Sequence, residues 1–349
     1  MKQILRAALL LAGLVPALQS NAERAMFNLS FDGLFDNREY KNGMLPQTIY
    51  GMRLMPEAGI GNGRHSLYGG VSQIWEFGAA DQPDAGAVLY YRYNGADWRA
   101  CFGSFPRTRL QRQLPDCMLY DSLAFFNPCI QGTAVQYYGN LVQAEAYCNW
   151  FSRQTQTQRE AFRIVSDGFI GKSGTILGGG WFLTLTHFAK PKENGHFIYE
   201  QFQAYPYMQL DFDRMLPEQT SLQAHIGILG SFQRLRAEDR WHTPTGLLAG
   251  LDGSWKGFQI HSTIYSGKAM MPFLNDGEAG IRFYRSDPFY NHSFYCKAGL
   301  EYVFIKDNAI SFSFCWDLNF TPDTPVHNRQ LVKLSYSFSG EKAFQTVRP

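Results

Sequence analysis

Five charged side chains crowd into residues 107–121 of the segment "PRTRLQRQLPDCMLYDSLAFFNPC" (106–129). Arg107, Arg109 and Arg112 come first, and Asp116 and Asp121 follow. Guanidinium groups facing carboxylates across a narrow aqueous passage set up a transverse field, which orders water and selects solutes by charge and dipole. The bland alternative is a surface loop with scattered charges. Tyr120, Phe125 and Phe126 in the same segment favour a packed loop. A second polar group comprises Glu145, Asn149, Arg159, Glu160 and Arg163. On the inner face of a β wall these residues would form either a stiffening ion-pair network or a patch that touches solute.

Other side chains carry less chemistry. His187, His225 and His261 could serve a barrel-embedded hydrolase, but the chain has no GxSxG elbow. A polar lumen supplies Ser, His and Asp by default, so lumen lining is the simpler reading. "GRHSLYGG" (63–70) holds an adjacent His-Ser pair, and adjacency alone proves nothing. "SDGFIGKSG" (166–174) has Ser166 where a phosphate-binding loop needs its first glycine. Its "GKSG" reads as a hairpin turn. The six cysteines (101, 117, 129, 148, 296 and 315) lack metal-ligand spacing, so neither a metal nor a cofactor is expected. Cys117 and Cys129 share one loop and form the candidate disulfide; the other four read as small apolar filler.

The elements that must position these groups are strands. In "AISFSFCWDLNF" (309–320), Ile310, Phe312, Phe314, Trp316, Leu318 and Phe320 alternate with Ser311, Ser313, Cys315, Asp317 and Asn319. The same rhythm sets Phe27, Leu29, Phe31 and Phe35 against Asn28, Ser30, Asp32 and Asp36. Sixteen such segments are readable, with fourteen as the alternative count. The last of them is placed at 329–338, and Pro206 is expected to shift the parity of the tenth. Connections after even-numbered strands are short, as in "NGAD", "YGN", "WKG" and "KDN". Connections after odd-numbered strands are usually longer and polar, as in 106–129 and 268–291. Sixteen strands closed into a barrel leave an interior too wide for wall side chains alone to fill. The polar face must then line water, and the aromatic face must meet lipid.

Residues 1–22, "MKQILRAALLLAGLVPALQSNA", have the charged start, apolar stretch and small-residue end of an export signal. Removing Lys2 and Arg6 lowers the 32 Lys and Arg to 30, equal to the 30 Asp and Glu. A neutral chain gives no reason to expect a nucleic acid partner. Phe (28), Tyr (19) and Gly (33) are plentiful, which suits tight turns and aromatic belts.

The final alternating strand, "QLVKLSYSF", ends in Tyr336 and Phe338 and resembles the assembly signal of Gram-negative outer-membrane barrels. The tail "SGEKAFQTVRP" departs from the usual terminal aromatic residue. The sixteen-strand layout, with its longest early loop after strand 5, is similar to the general porins. "FDNREY", "FGSFPR" and "REAF" are similar to segments of poorly characterised Bacteroidota outer-membrane barrels. In general porins the loop after strand 5 folds into the lumen and narrows it, which the resemblance implies for 106–129.

The expected protein is therefore an all-β transmembrane antiparallel barrel over 23–338, preceded by a leader (1–22) and followed by a tail (339–349). Its expected function is diffusion of small hydrophilic solutes across the outer membrane of a Gram-negative bacterium. The alternatives are a loop-plugged barrel for adhesion or assembly and an outer-membrane enzyme acting on lipid or glycan. Expected partners are membrane lipid, small solutes, the barrel-assembly machinery and further copies of the chain. No plug precedes the first strand, which disfavours a TonB-dependent transporter.

Overall fold

A computed structural model describes residues 24–41, 44, 46–172, 174–193, 197–238, 240–275 and 283–343; residues 1–22, where a leader is expected, lie outside them. Sixteen antiparallel strands close into one barrel, each pairing with its chain neighbours and β1 pairing with β16. They are β1 (Arg24–Glu39), β2 (Gln47–Asn62), β3 (His65–Glu76), β4 (Gly86–Asn94), β5 (Trp98–Pro106), β6 (Cys129–Tyr138), β7 (Val142–Ser152) and β8 (Ala161–Ile170). Then follow β9 (Leu177–Phe188), β10 (Tyr199–Asp211), β11 (Thr220–Leu235), β12 (Thr245–Trp255), β13 (Phe258–Gly267), β14 (Phe294–Lys306), β15 (Ile310–Thr321) and β16 (Thr324–Ala343).

Alternation decides which side of the wall each residue faces. In β15, Phe314 and Trp316 are 38% and 48% exposed, whereas Ser313, Cys315, Asp317 and Asn319 are buried inside. Leu89, Phe102, Ile164, Leu185, Ile226, Leu247, Ile264 and Leu300 are likewise exposed, on eight other strands. An apolar surface running round the whole wall cannot face water, so it faces lipid. No helix among the described residues is long and apolar enough to cross a membrane.

One rim carries the tight turns. Lys256 and Gly257 adopt φ of +46° and +87° between β12 and β13, a two-residue hairpin matched to strand twist. Asp307 accepts from the N–H groups of Ala309 (2.7 Å) and Ile310 (2.8 Å) in the turn before β15. The other rim carries the long connections, with one exception. Only residues 322–323 separate β15 from β16, and β16 starts at Thr324, earlier than the 329 expected from sequence. It also runs on to Ala343, through residues expected to form a tail, because every residue of the long β1 finds a partner there, from Arg24↔Ala343 to Glu39↔Asn328.

One further expectation is corrected. Pro206 does not shift parity: Tyr199, Gln201, Gln203 and Tyr205 are buried inside, and Pro206 is exposed outside with its neighbours in step. The β10–β11 ladder is interrupted between Ala204 and Tyr207, where a residue without an N–H does no harm. The turn-like "PEAGIGN" (56–62) continues β2 and aims Glu57 inward.

Candidate pore constriction

The β5–β6 connection turns into the barrel. Pro106 ends β5, a 3-10 turn follows at Arg107–Arg109, and a short helix α1 (Asp121–Phe126) precedes β6. Arg107 N–H donates to Pro128 O (2.8 Å), closing the base of the loop. Its guanidinium donates to Asn127 O, so it braces the loop's own return strand. Burial pushes the Arg107 pKa down.

From that base the segment crosses the lumen, touching the wall nearly all the way round. Arg109 donates to Tyr90 Oη (3.0 Å) and reaches Glu57 (3.5 Å). Gln111 N–H donates to Glu145 (2.9 Å), which also accepts from Gln136. Arg112 donates to Tyr207 Oη (3.2 Å) and lies over the Phe169 ring. Arg163 donates to Met118 O (2.7 Å) and Gln203 to Cys117 O (3.1 Å). Lys297 pairs with Asp116 (2.7 Å), and Arg329 reaches Asp121 (3.2 Å). Phe125 and Phe126 pack on Leu34, Ile49, Cys315 and Leu331.

The sequence-selected residues thus divide. Arg107, Arg109, Arg112, Asp116, Asp121, Glu145 and Arg163 converge on the crossing segment. Asn149 faces inward but serves the wall, accepting from Gln131 N–H (3.0 Å). Arg159 and Glu160 are not in the wall at all, because β8 begins at Ala161. Arg159 donates to Phe197 O (2.9 Å) in the neighbouring long connection and stacks over Phe283. His65 and Ser66 lie on opposite faces, and His187 faces outward toward Glu200 (3.8 Å). Cys117 and Cys129 are free, as are the other four cysteines, so the candidate disulfide is absent. Cys117 is fully buried beside Tyr205 and Tyr265, while Cys129 packs with a different cluster near Phe105 and Ile130.

The sequence missed a buried ion chain on the wall beneath α1. Arg329 holds both oxygens of Asp36 (2.9 and 3.0 Å) and approaches Asp317 at 3.6 Å. Arg38 shares Asp36, and His261 pairs with Asp317 (2.7 Å). Strand parity puts Asp36 and Asp317 inside. Nothing in sequence pairs position 36 with 329.

The described parts of the β13–β14 connection, 268–275 and 283–293, also lie inside. Gln233 donates to Met270 O (2.9 Å), Tyr120 N–H to Arg285 O (3.0 Å) and Asp287 N–H to Asp116 O (2.8 Å). Met270, Met271, Phe273, Phe283, Tyr284, Phe289 and Tyr290 form one apolar cluster with wall residues Tyr199, Leu229, Tyr265 and Tyr295. Phe283 stacks on Tyr199 with ring centres 4.4 Å apart. Burial, reinforced by the Asp116 carboxylate, pushes the Asp287 pKa up to about 6. A cavity of about 370 Å³ remains toward the long-loop rim, lined by Arg38, Tyr40, Asp116, Tyr120, Asp121 and Asp287 among others. A second, of about 460 Å³, opens near the short turns beside Ser221, Gln223, Asp252, Ser254, Gln259 and His261.

This geometry has solved counterparts. Pseudomonas aeruginosa OprD superposes with a TM-score of 0.54 at 11% identity, covering 90% of this chain and 95% of that one. P. aeruginosa OccK9 (OpdG) gives 0.55 at 10% identity, covering 90% and 98%. P. aeruginosa OccK3 (OpdO) gives 0.56 at 10% identity, covering 92% and 98%. The fold is that of the OprD-type porins. A closed barrel of this kind with a lipid-facing exterior is an outer-membrane protein of a Gram-negative cell. A family model described as "Lipid A 3'-O-deacylase-type" matches residues 18–168, less than half of the chain. No curated protein matches.

Proposed function

We propose that the barrel is an outer-membrane channel for small hydrophilic solutes, gated by the two segments folded into its lumen. The observation that carries this reading is the charged crossing at 107–128. Its arginines and aspartates grip opposite sides of a polar wall through side-chain contacts. Charged groups of both signs set across a lumen create a transverse field, which suits the selection of hydrophilic solutes by charge and dipole. The two cavities lie toward opposite rims and give solute a place to enter from either side. The same reading takes residues 1–22 as the export leader and the barrel-assembly machinery as a folding partner.

Single-channel recording in planar bilayers tests the reading. Wild-type protein should conduct in small, intermittent steps, and Asp116→Asn with Asp121→Asn should lengthen the open times. Silence from both proteins would overturn the channel and leave a plugged scaffold.

The family match over 18–168 favours a second reading, an esterase that removes an acyl chain from lipid A. It requires that cells expressing the protein lose acyl chains from lipid A, measured by mass spectrometry. An unchanged lipid A profile beside measurable conductance would remove it.

A further inference from the structure

The geometry points to a transition-metal site on the inner wall, built from His261, Cys315 and Asp317. These residues come from β13 and β15, and their donor atoms all lie within 4.8 Å of one another. Asp317 Oδ1 is the hub: His261 Nε2 stands 2.7 Å from it and Cys315 Sγ 3.3 Å. Donors around a tetrahedral zinc ion at about 2.0–2.3 Å stand roughly 3.3–3.8 Å apart. The sulfur–oxygen edge already fits, and the imidazole needs to withdraw by about half an ångström.

The strand between them is cut away for this contact. His261 reaches Asp317 across Gly299 of β14, its direct register partner. A Cβ at position 299 would lie 2.0 Å from His261 Nε2 and 2.5 Å from Asp317 Oδ1. Any side chain there would push the donors apart.

The surroundings suit a cation. Asp317 Oδ2 faces Arg329 at 3.6 Å, which leaves Oδ1 for the metal and orients the carboxylate from behind. The linked ion chain holds three carboxylates (Asp36, Asp121 and Asp317) against two cations (Arg38 and Arg329), an excess of one negative charge. His261 also lines the polar cavity near the short turns, so a fourth position can be filled by water or solute. An imidazole, a thiolate and a carboxylate together select a borderline-soft divalent ion such as Zn²⁺ over Mg²⁺ or Ca²⁺. Sequence spacing could not register this set, because 54 residues separate His261 from Cys315.

The test uses the full barrel in detergent, stripped with a chelator and titrated with Co²⁺. One equivalent should produce a near-ultraviolet thiolate-to-cobalt absorption band, which Zn²⁺ displaces. Cys315→Ser should abolish the band. Cys296→Ser, on the outward face of β14, should preserve it. His261→Gln leaves the buried sulfur untouched and should weaken Co²⁺ binding at least about tenfold. Heat-modifiable gel mobility reports folding of each variant. Absence of the band, its survival in Cys315→Ser, its loss in Cys296→Ser, or unchanged affinity in His261→Gln would each overturn the site.

Discussion

Arg329 touches three carboxylates, those of Asp36, Asp121 and Asp317, more than any side chain selected from sequence. It neutralises Asp36, whose side chain is fully buried, and reaches forward to Asp121 of the crossing segment. Arg329→Met would strand Asp36 with only Arg38 beside it. Removing one partner of a buried pair costs about 3–5 kcal/mol, because the other charge stays desolvated. Urea unfolding followed by gel mobility should register that loss, and Arg329→Met combined with Asp36→Asn should recover part of it. If the single variant unfolds like wild type, the chain does not hold the wall. On the outer face the physics reverses. Phe314→Arg should cost about 2–4 kcal/mol near the bilayer midplane, whereas Ser313→Ala, facing the lumen, should be nearly neutral by the same assay. The parity behind this contrast was readable directly from 309–320, since each strand residue has only two faces to choose from. The partner of Asp36 was not, because it depends on which strand closes the barrel.

At the scale of elements, strands were legible and inserted segments only half so. Alternation fixes strand positions locally. The inward fold of 107–128 depends on contacts with strands 19 to 208 residues away in sequence, from Tyr90 to Arg329. The filling of the lumen by 268–275 and 283–291 had no sequence signal of its own, because Met270, Phe273, Phe283 and Tyr290 read equally well as loop residues and as core. Asp287 makes the packing of this segment sensitive to pH. The groups facing it are Asp116, Lys297, Arg329, Tyr40, Tyr290 and Tyr295. Its pKa in the folded protein is about 6, above an unfolded value near 3.8. A raised pKa means that the protonated form is favoured by folding. The contribution is complete below about pH 4 and is lost as pH rises through 6. The segment should therefore loosen between pH 4 and 7. Channel open probability should rise over that interval, and Asp287→Asn should flatten the rise. An identical pH profile in the variant would exclude Asp287 as the cause.

For the molecule as a whole, up-and-down connectivity sends successive hairpins to alternate rims, and the long connections gather on one of them. The two-residue β15–β16 turn is the exception that sequence reading missed. Outer-membrane barrels place short turns in the periplasm and long loops outside the cell. A protease site inserted at 190–192, between β9 and β10, should therefore be cut on intact cells. The same site at 306–308, between β14 and β15, should be cut only after the outer membrane is permeabilised. The inserted segments add a condition that a plain barrel would not meet. Cys117 lies between β5 and β6, on the long-loop side, yet it is 0% exposed among Tyr205, Tyr265 and Tyr290. A membrane-impermeant maleimide on intact cells should leave it unmodified, although a loop at that rim would ordinarily be reached. The Asp116→Asn, Asp121→Asn double variant loosens the crossing segment without touching the cysteine, and should make Cys117 reactive. Cutting at 306–308 on intact cells with protection at 190–192 would invert the barrel. Rapid labelling of Cys117 in the unaltered protein would put the segment outside the lumen and remove the gate.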